Sequence, residues 1–222
     1  MSYMYKETVT KNPFKGCLFN CIYCENSFKR QAKRQKNRCI DCYNYKPHFH
    51  PERLNDYLPK NKLIFYCANG DIAFAKPEWL SQIFEVIKNK SDRTFLLQTK
   101  KPSCLYGYDI PDNCLVGTTI ETNRDTSNIS KAPESCVRYF HMLNLVCRKF
   151  VTIEPILDFD MEVMKRWIKE IDPEIVWVGY ANHTNGLSLD EPELSKTQEL
   201  IKELESFTDV RLKTIRDNLG VK

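Results

Sequence analysis

Apolar and polar residues alternate along this chain in blocks that predict strands and helices in turn. From residue 62 onwards, short apolar runs typical of strands buried in a parallel sheet are separated by stretches with one apolar face, which are typical of helices. The predicted strands are 7–10, 63–67, 94–97, 114–120, 150–153 and 175–179. The predicted helices begin at Pro77 and Pro133 and, further on, cover 161–171 and 197–207.

Repeated strand–helix units of this kind predict an α/β fold. Right-handed crossovers between parallel strands curl such a sheet into a barrel or part of one. The count of about six strands is lower than the eight that close a complete barrel. We therefore expect one domain over residues 1–222, with an inserted segment at about 25–60 that is polar, basic and contains cysteine.

Composition narrows the class of protein. With 42% hydrophobic and 28% charged residues in 222, the chain is typical of a soluble globular protein with a real core. Its N-terminus has no apolar run, and no stretch has the length of a membrane span, so we expect neither a signal peptide nor a membrane partner. Ten cysteines without an export signal predict reduced thiols in the cytoplasm rather than a disulfide framework.

Three cysteines lie close together in the loop after the first predicted strand. Cys17, Cys21 and Cys24 have the spacing C-x3-C-x2-C. Three thiolates from one loop can hold three corners of a [4Fe–4S] cluster, and the missing fourth ligand leaves one iron open to an outside molecule. The alternatives are a zinc site, which needs a fourth ligand from elsewhere, or three cysteines that pack in the core.

A second pair of cysteines follows in the inserted segment. Cys39 and Cys42 form a C-x2-C pair, with His48 and His50 shortly after. These residues can form a Cys2His2 metal site, or the two cysteines can support an auxiliary iron–sulfur cluster with other thiols. A surface knuckle without metal is the remaining interpretation.

The same segment carries a run of positive charge. Residues 29–38 contain six cations and no acid, while the whole chain has a net charge of +4. Such a run is either a solvated face or a contact for the phosphates of a nucleic acid, and phosphate binding would be independent of sequence and sensitive to salt.

Polar residues follow each predicted strand at the point where it ends. In parallel α/β folds, ligands bind at the carboxyl ends of the strands, so these residues are expected to share one site. After the cysteine loop, they lie at 69–71, 98–100, 121–123, 154–155 and 180–183.

The order of these motifs resembles the radical S-adenosylmethionine (SAM) superfamily. It is most similar to a family of small proteins of this type from bacteriophages, bacteria and archaea, whose substrate is generally unassigned, and more distantly to spore photoproduct lyase, which repairs a thymine dimer in DNA. Besides the cysteines, the resemblance is carried by NP at 12–13, FHPERL at 49–54, GD at 70–71, LQTKKP at 97–102, GTTIETN at 117–123 and TIEP at 152–155.

The resemblance implies a partial TIM-like (βα)6 barrel and a definite chemistry. Cys17, Cys21 and Cys24 would hold a [4Fe–4S] cluster whose open iron binds the amino and carboxylate groups of SAM. Reductive cleavage of SAM then gives a 5′-deoxyadenosyl radical that takes hydrogen from the substrate. A reducing partner such as flavodoxin or ferredoxin would supply the electron.

The resemblance also assigns cofactor-binding residues. Tyr23 takes the place whose neighbourhood packs on adenine, Glu121 is placed to bind the ribose hydroxyls, and the segment after the second strand is placed to bind the SAM amino group. That segment consists of Asn69, Gly70 and Asp71. Gln98 and Asn182 are further cofactor-binding candidates at strand ends.

Three candidates are expected to act in catalysis. Lys100 pairs with the SAM carboxylate or with a substrate phosphate. Glu154 points into the same cavity, or else forms an ion pair with Lys100. Cys67 is either a thiol that relays a radical or a core residue, and His183 lies on the same face.

The sequence thus predicts a radical SAM enzyme that modifies or repairs a nucleic acid or nucleotide. Two alternatives stay open: a radical SAM reaction on a small metabolite or peptide, and a non-catalytic protein that binds zinc or an iron–sulfur cluster.

Overall fold

The computed structural model describes residues 7–182 and 186–216. Its strands are β1 (Thr8–Lys11), β2 (Phe14–Lys15), β3 (His48–Phe49), β4 (Leu63–Tyr66), β5 (Thr94–Gln98), β6 (Cys114–Thr119), β7 (Arg148–Ile153), β8 (Ile175–Val178) and β9 (Asp209–Leu212). Its α-helices are α1 (Arg30–Ala32), α2 (Ile40–Tyr43), α3 (Pro77–Lys88), α4 (Ser135–Leu143), α5 (Met161–Ile171) and α6 (Leu194–Glu205). Shorter helical turns cover Ile22–Cys24, Glu25–Lys29, Lys33–Gln35, Pro51–Asn55, Ile72–Phe74 and Pro102–Leu105.

The strands form one large parallel sheet and one small antiparallel sheet. The large sheet has the order β1-β4-β5-β6-β7-β8-β9, and every neighbouring pair is parallel. The small sheet pairs β2 with β3. The curled sheet with helices packed on its outer face confirms the predicted α/β fold of the partial TIM-like type.

The structure adds a seventh strand to the predicted six. β9 lies at the edge of the sheet beside β8, and its Asp209 and Leu212 are exposed. An edge strand has a neighbour on one side only and needs no continuous apolar run. The sequence pattern of a buried parallel strand is therefore missing here.

The helices bury the predicted apolar faces, but some of them begin or end at other residues than predicted. α5 has the predicted bounds, and α3 begins at Pro77 as expected for proline in the first turn. α4 begins two residues after Pro133, because Glu134 has the extended backbone of a helix cap. α6 begins at Leu194, three residues earlier than predicted.

Alternate residues of the strands divide the interior into two apolar layers. The larger core lies between the sheet and the helices. The inner, concave face carries a smaller apolar layer at the amino end of the strands, made by Phe65, Leu96, Leu115, Phe150, Ile175 and Trp177. Because side chains repeat every second residue, the next inward positions are Gln98, Thr119 and Thr152. The inner face therefore changes from apolar to polar at the carboxyl edge, which is where a ligand site is expected.

Within the described ranges, no helix combines the length and apolar character that a membrane span requires.

Candidate active site

A cavity of about 460 Å³ opens at the carboxyl edge of the large sheet. This cavity is lined by the residues that the sequence predicts for the cluster, the cofactor and catalysis. Among those in the described ranges, Glu121 alone does not line it. The lining members of that set are Cys17, Cys21, Tyr23, Cys24, Cys67, Asn69, Gly70, Asp71, Gln98, Lys100, Glu154 and Asn182. His183, which we also expect on this face, lies outside the described residues.

The cysteine loop is fastened to the end of β4 by its backbone. The Gly16 amide donates to the Asn69 carbonyl at 3.0 Å, and the Asp71 amide donates to the Gly16 carbonyl at 3.1 Å. A Cβ at Gly70 would lie 2.9 Å from the Gly16 nitrogen. Gly16 has a φ of +92°, and a Cβ there would lie 2.1 Å from the Lys46 carbonyl oxygen. Glycine is required at both positions, because the two loops approach each other backbone to backbone.

The three thiols of this loop face the cavity in different electrostatic settings. A hydrogen bond from Cys24 lowers the pKa of the Cys21 thiol to about 5, against burial and with help from Lys100 and Ser130. The Ser130 hydroxyl lies 3.0 Å from the Cys21 Sγ. Burial raises the pKa of the Cys17 thiol to about 12. Nearby cationic and hydroxyl groups of this kind are suited to stabilise metal-bound thiolates.

The donor set fits a cubane cluster better than a single ion. Among the described residues, one set of Cys, His, Asp or Glu ligand atoms lies within 4.8 Å of one another, and it contains none of Cys17, Cys21 and Cys24. Three thiolates that each bind a different iron are the ligand set of a [4Fe–4S] cluster with one open iron, whereas a structural zinc site needs a fourth ligand. Three thiols from one loop beside a cavity therefore fit the predicted [4Fe–4S] group, with room for a ligand on the fourth iron.

A buried ion network supports the cavity wall from below. Lys100 Nζ contacts Glu121 Oε1 and the Tyr23 hydroxyl, and Arg138 Nη1 lies 2.7 Å from Glu121 Oε2. Glu121 is 1% exposed and Arg138 is fully buried. Burial alone would raise the pKa of Glu121, but the Arg138 guanidinium and the Lys100 ammonium outweigh it and lower the pKa to about 2. Glu121 is thus a carboxylate that holds two cations together.

This network occupies both carboxylate oxygens of Glu121. Both of its oxygens already accept hydrogen bonds from protein groups, and the residue does not line the cavity. Glu121 therefore positions Tyr23 and Lys100, and its predicted contact with the ribose hydroxyls stays a prediction. Lys100 and Tyr23 do line the cavity.

Asp71 holds the turn after β4 in a similar way. Its Oδ1 accepts from the Thr99 hydroxyl at 2.6 Å and from the Ala73 amide at 3.0 Å, while its Oδ2 accepts from the Lys100 amide at 2.8 Å. Burial raises the pKa of Asp71, and these hydrogen bonds oppose that rise. The contacts join the ends of β4 and β5, so Asp71 also fixes the backbone of Lys100.

Glu154 has a different partner from the one considered in the sequence. Its Oε1 contacts Lys213 Nζ, while Lys100 pairs with Glu121. The alternative prediction of an ion pair between Glu154 and Lys100 is therefore wrong. Burial raises the pKa of Glu154, and Lys213 opposes that rise. Lys213 follows β9, the strand that the sequence pattern did not predict, and no signal in the sequence could have found it.

Gln98 closes the polar layer of the inner face. Its Nε2 donates to the Thr119 hydroxyl at 2.8 Å and to the Thr152 hydroxyl at 2.7 Å. Asn182 accepts from the Thr214 hydroxyl through its Oδ1. Both side chains line the cavity and have polar groups beyond these contacts, so their predicted contact with a cofactor stays a prediction.

Arg138 is a site residue that sequence reasoning missed. It lies in α4 between Ser135 and Met142, on the stripe of the helix that is buried. A cation on an otherwise buried stripe is the signal that could have found it, because a buried charge requires a partner.

The basic segment forms one side of the cavity mouth. Phe28 and Gln31 line the cavity, while Arg30, Lys33, Arg34, Lys36 and Arg38 are exposed. Lys29 pairs with Glu25, and Lys33 Nζ lies 4.4 Å from the centre of the Tyr43 ring. The positive charge thus faces solvent next to the cavity.

Solved structures share this architecture over most of the chain. A variant of spore photoproduct lyase with bound S-adenosylmethionine and a dinucleoside spore photoproduct superimposes with a TM-score of 0.59 at 9% identity, covering 97% of this chain and 62% of the lyase. The chain has the radical SAM fold. A radical SAM methyltransferase from Sphaerobacter thermophilus matches with a TM-score of 0.55 at 12% identity, covering 96% of this chain and 68% of the methyltransferase.

These matches confirm the predicted resemblance at the level of the fold. The chain spans about 62% of the length of the lyase that it matches. No protein-family model and no curated protein matches its sequence. The assignment of roles to individual residues therefore rests on the geometry of this chain.

Proposed function

We propose that this protein cleaves SAM reductively at a [4Fe–4S] cluster held by Cys17, Cys21 and Cys24, and uses the resulting radical to take hydrogen from a substrate. One observation carries the proposal: the three thiols converge on a cavity at the carboxyl edge of a sheet with the radical SAM fold. When bound, the cluster and SAM supply an electron and a carbon-centred radical.

The residues of the chain bind, orient and shield these groups. The backbone contacts of Gly16 hold the three thiols in one loop, and Lys100 presents a positive charge to the cavity from a wall that is otherwise buried. A carboxylate of a bound molecule can pair with this charge, as expected for Lys100. The apolar layer beneath Gln98 closes the bottom of the cavity and excludes water from that side.

Cys67 is a candidate hydrogen donor in the same cavity. Its side chain is 2% exposed, and burial raises its pKa to about 12, so that it is a protonated thiol at neutral pH. A thiol of this kind can give a hydrogen atom to a carbon radical, whereas a thiolate cannot. The thiyl radical that remains needs one electron and one proton to become a thiol again, and the one-electron donor proposed below can supply that electron. We propose this role for Cys67 as an addition to its packing.

For the substrate we propose a nucleic acid or nucleotide. Five exposed cations of the segment 29–38 lie beside the cavity mouth and can neutralise backbone phosphates. The lyase of similar fold was solved with a dinucleoside photoproduct, which is consistent with a nucleotide in a cavity of this type. A one-electron donor such as flavodoxin or ferredoxin is also part of the proposal, because the reaction consumes an electron.

The reaction class is tested by SAM cleavage. The protein is reconstituted with iron and sulfide without oxygen, reduced with dithionite and supplied with SAM, beside a Cys21→Ala variant. We expect 5′-deoxyadenosine from the wild type and none from the variant. Exposed Cys136 offers a matched control, since Cys136→Ala removes a thiol outside the loop and must keep the activity. A wild type that binds neither the cluster nor SAM would overturn the proposal.

The substrate class is tested by binding at several salt concentrations. Replacing Arg30, Lys33, Arg34, Lys36 and Arg38 with glutamine is expected to weaken binding of single- and double-stranded DNA and of RNA by about tenfold or more, with a flatter salt dependence. The matched control replaces five other exposed lysines with glutamine: Lys60, Lys88, Lys90, Lys169 and Lys202. Equal loss in both variants would indicate a non-specific charge effect, and absence of binding by the wild type at low salt would favour a small metabolite or peptide.

A further inference from the structure

A second group of potential metal ligands lies outside the active-site cavity. Cys39, Cys42, His48 and His50 bring one ligand atom each to within 4.8 Å of one another. The Cys42 Sγ lies 3.2 Å from His48 Nε2 and 3.3 Å from His50 Nε2, and the Cys39 Sγ lies 3.5 Å from His48 Nε2. Tetrahedral zinc with two sulfur and two nitrogen ligands separates its ligand atoms by roughly 3.3–3.8 Å. The four atoms therefore surround a position for one ion.

The surroundings orient both imidazoles toward that position. His48 Nδ1 lies 2.7 Å from the Lys46 carbonyl oxygen, and His50 Nδ1 lies 2.9 Å from Glu52 Oε1. A carbonyl or carboxylate oxygen only accepts, so each Nδ1 carries the hydrogen and each Nε2 of a neutral ring carries a lone pair. Hydrogen bonds from the far ring nitrogen to such oxygens are typical of histidines that bind a metal.

The arrangement of two neutral rings favours a cation between them. The two Nε2 atoms are 2.8 Å apart. With both hydrogens on Nδ1, two lone pairs face each other at this distance and repel. A metal ion at the centre of the group turns that repulsion into coordination. The Cys42 amide, which donates to the Cys39 Sγ at 3.3 Å, further stabilises a thiolate on the same side.

The chemistry of the group points to zinc rather than to an iron–sulfur cluster. Ligands of a cluster bind different irons and lie farther apart than the 4.8 Å seen here. Two thiolates and two imidazoles in a closed tetrahedral set are typical of structural zinc, with no position left for a substrate. We propose that Cys39, Cys42, His48 and His50 bind one structural Zn²⁺ ion.

The zinc ion fixes the part of the inserted segment that contacts the cysteine loop through its backbone. His48 lies in β3, and its strand partner is Lys15, two residues before Cys17. The Tyr45 carbonyl accepts from the Cys17 amide at 3.3 Å, and the His50 amide donates to the Pro13 carbonyl at 2.6 Å. Tyr45 also lines the cavity. The ion therefore holds the loop that supports Cys17 and one wall of the cavity.

The test measures zinc in a protein that cannot hold the cluster. A variant with Cys17, Cys21 and Cys24 all changed to serine is expressed with added zinc, dialysed and analysed for zinc, iron and sulfide. We expect about one zinc per folded chain, as for a closed structural site. A folded, zinc-free protein would overturn the proposal, and so would iron and sulfide bound at Cys39 and Cys42. This experiment is independent of whether the protein cleaves SAM.

Two substitutions of His50 separate loss of metal from loss of fold. In the same background, His50→Ala is expected to lose zinc, while His50→Cys keeps four ligands and is expected to stay folded and retain it. With Co²⁺ in place of zinc, the His50→Cys protein should show the bands of tetrahedral cobalt with a stronger thiolate charge-transfer band. Zinc retained at full occupancy by a folded His50→Ala variant, or lost from a folded His50→Cys variant, would contradict the proposed ligand set. The Cys136→Ser variant is the matched control, because that thiol is exposed and outside the group.

Discussion

The chain carries two clusters of cysteine, and the structure gives them opposite designs. Cys17, Cys21 and Cys24 line an open cavity at the end of the sheet. Cys39 and Cys42 meet two histidines at distances suited to one ion. A set of three ligands beside a cavity leaves a coordination position for a reacting molecule, whereas a closed set of four leaves none. This difference supports our two proposals, a catalytic role for the first site and a structural role for the second.

The two sites also differ in what holds them together. The open loop is held by protein groups, namely the backbone contacts of Gly16 and the buried network of Lys100, Glu121 and Arg138. The group on the inserted segment brings four ligand atoms to within 4.8 Å of one another, and we propose that a metal ion holds them together. Preorganised protein contacts are expected at a site that exchanges ligands, while metal binding supplies folding free energy at a structural site.

The largest expected effect is the separation of the two metals by a single substitution. Cys17→Ser removes one corner of the open site, so the iron content and the cleavage of SAM are expected to fall to background while zinc stays bound. Metal analysis and 5′-deoxyadenosine assays of the same preparation check this. If iron and zinc disappeared together from a folded protein, the two sites would not be independent.

The next effect concerns the ion network below the open site. Glu121→Gln removes the counter-charge of the buried Arg138 and is expected to lower the free energy of unfolding by about 3–5 kcal/mol. Glu174→Gln breaks the exposed pair with Arg148 and should cost less than about 1 kcal/mol. Urea denaturation of both variants measures the two values. Equal effects would mean that the buried network does not support the site.

The contribution of Glu121 to stability is expected to depend on pH. The pKa of Glu121 is lowered to about 2 in the folded protein, against an ordinary value of 4.5. The stability that it contributes is therefore fully present above pH 4.5 and is lost as the pH falls toward 2. We expect the difference in unfolding free energy between the wild type and Glu121→Gln to shrink over this range. A constant difference down to acid pH would contradict the assignment.

A smaller effect is expected from the surroundings of the closed site. Glu52→Gln replaces the carboxylate that accepts a hydrogen bond from His50 with a weaker acceptor and should weaken zinc binding by about tenfold. The effect is expected to be no larger, because Glu52 is largely exposed. Competition with a zinc chelator measures the affinity. The exposed Glu78 provides the control variant Glu78→Gln, which is expected to bind zinc like the wild type.

The smallest effect on metal content is expected at Cys67, a thiol of the open site that we do not propose as a ligand. Cys67→Ser should retain the iron and cost about 1–2 kcal/mol, because it buries a hydroxyl in place of a thiol. SAM cleavage is expected to persist, while return of hydrogen to a substrate radical would be lost if Cys67 is the donor. Loss of iron from this variant would instead make Cys67 part of the cluster site.

Much of the site was predictable because it lies where strands end. The apolar runs that precede Asp71, Lys100 and Glu154 predict parallel strands, and parallel strands bring their carboxyl ends to one edge. The partners of these residues were not predictable in the same way. Arg138 comes from a helix and Lys213 from the residue after an edge strand, so long-range packing alone brings them to Glu121 and Glu154.

The sequence by itself determined the α/β fold, the order of its main strands and the loop with three thiols, because hydrophobic period and ligand spacing are local properties of the chain. The tertiary structure decided which charges pair, that Glu121 supports the cavity from beneath, and that Cys39 and Cys42 converge with His48 and His50. The physical reason is that ion pairs and metal sites depend on distances of a few ångströms between distant segments. Those distances are set only when the sheet and the inserted segment have packed.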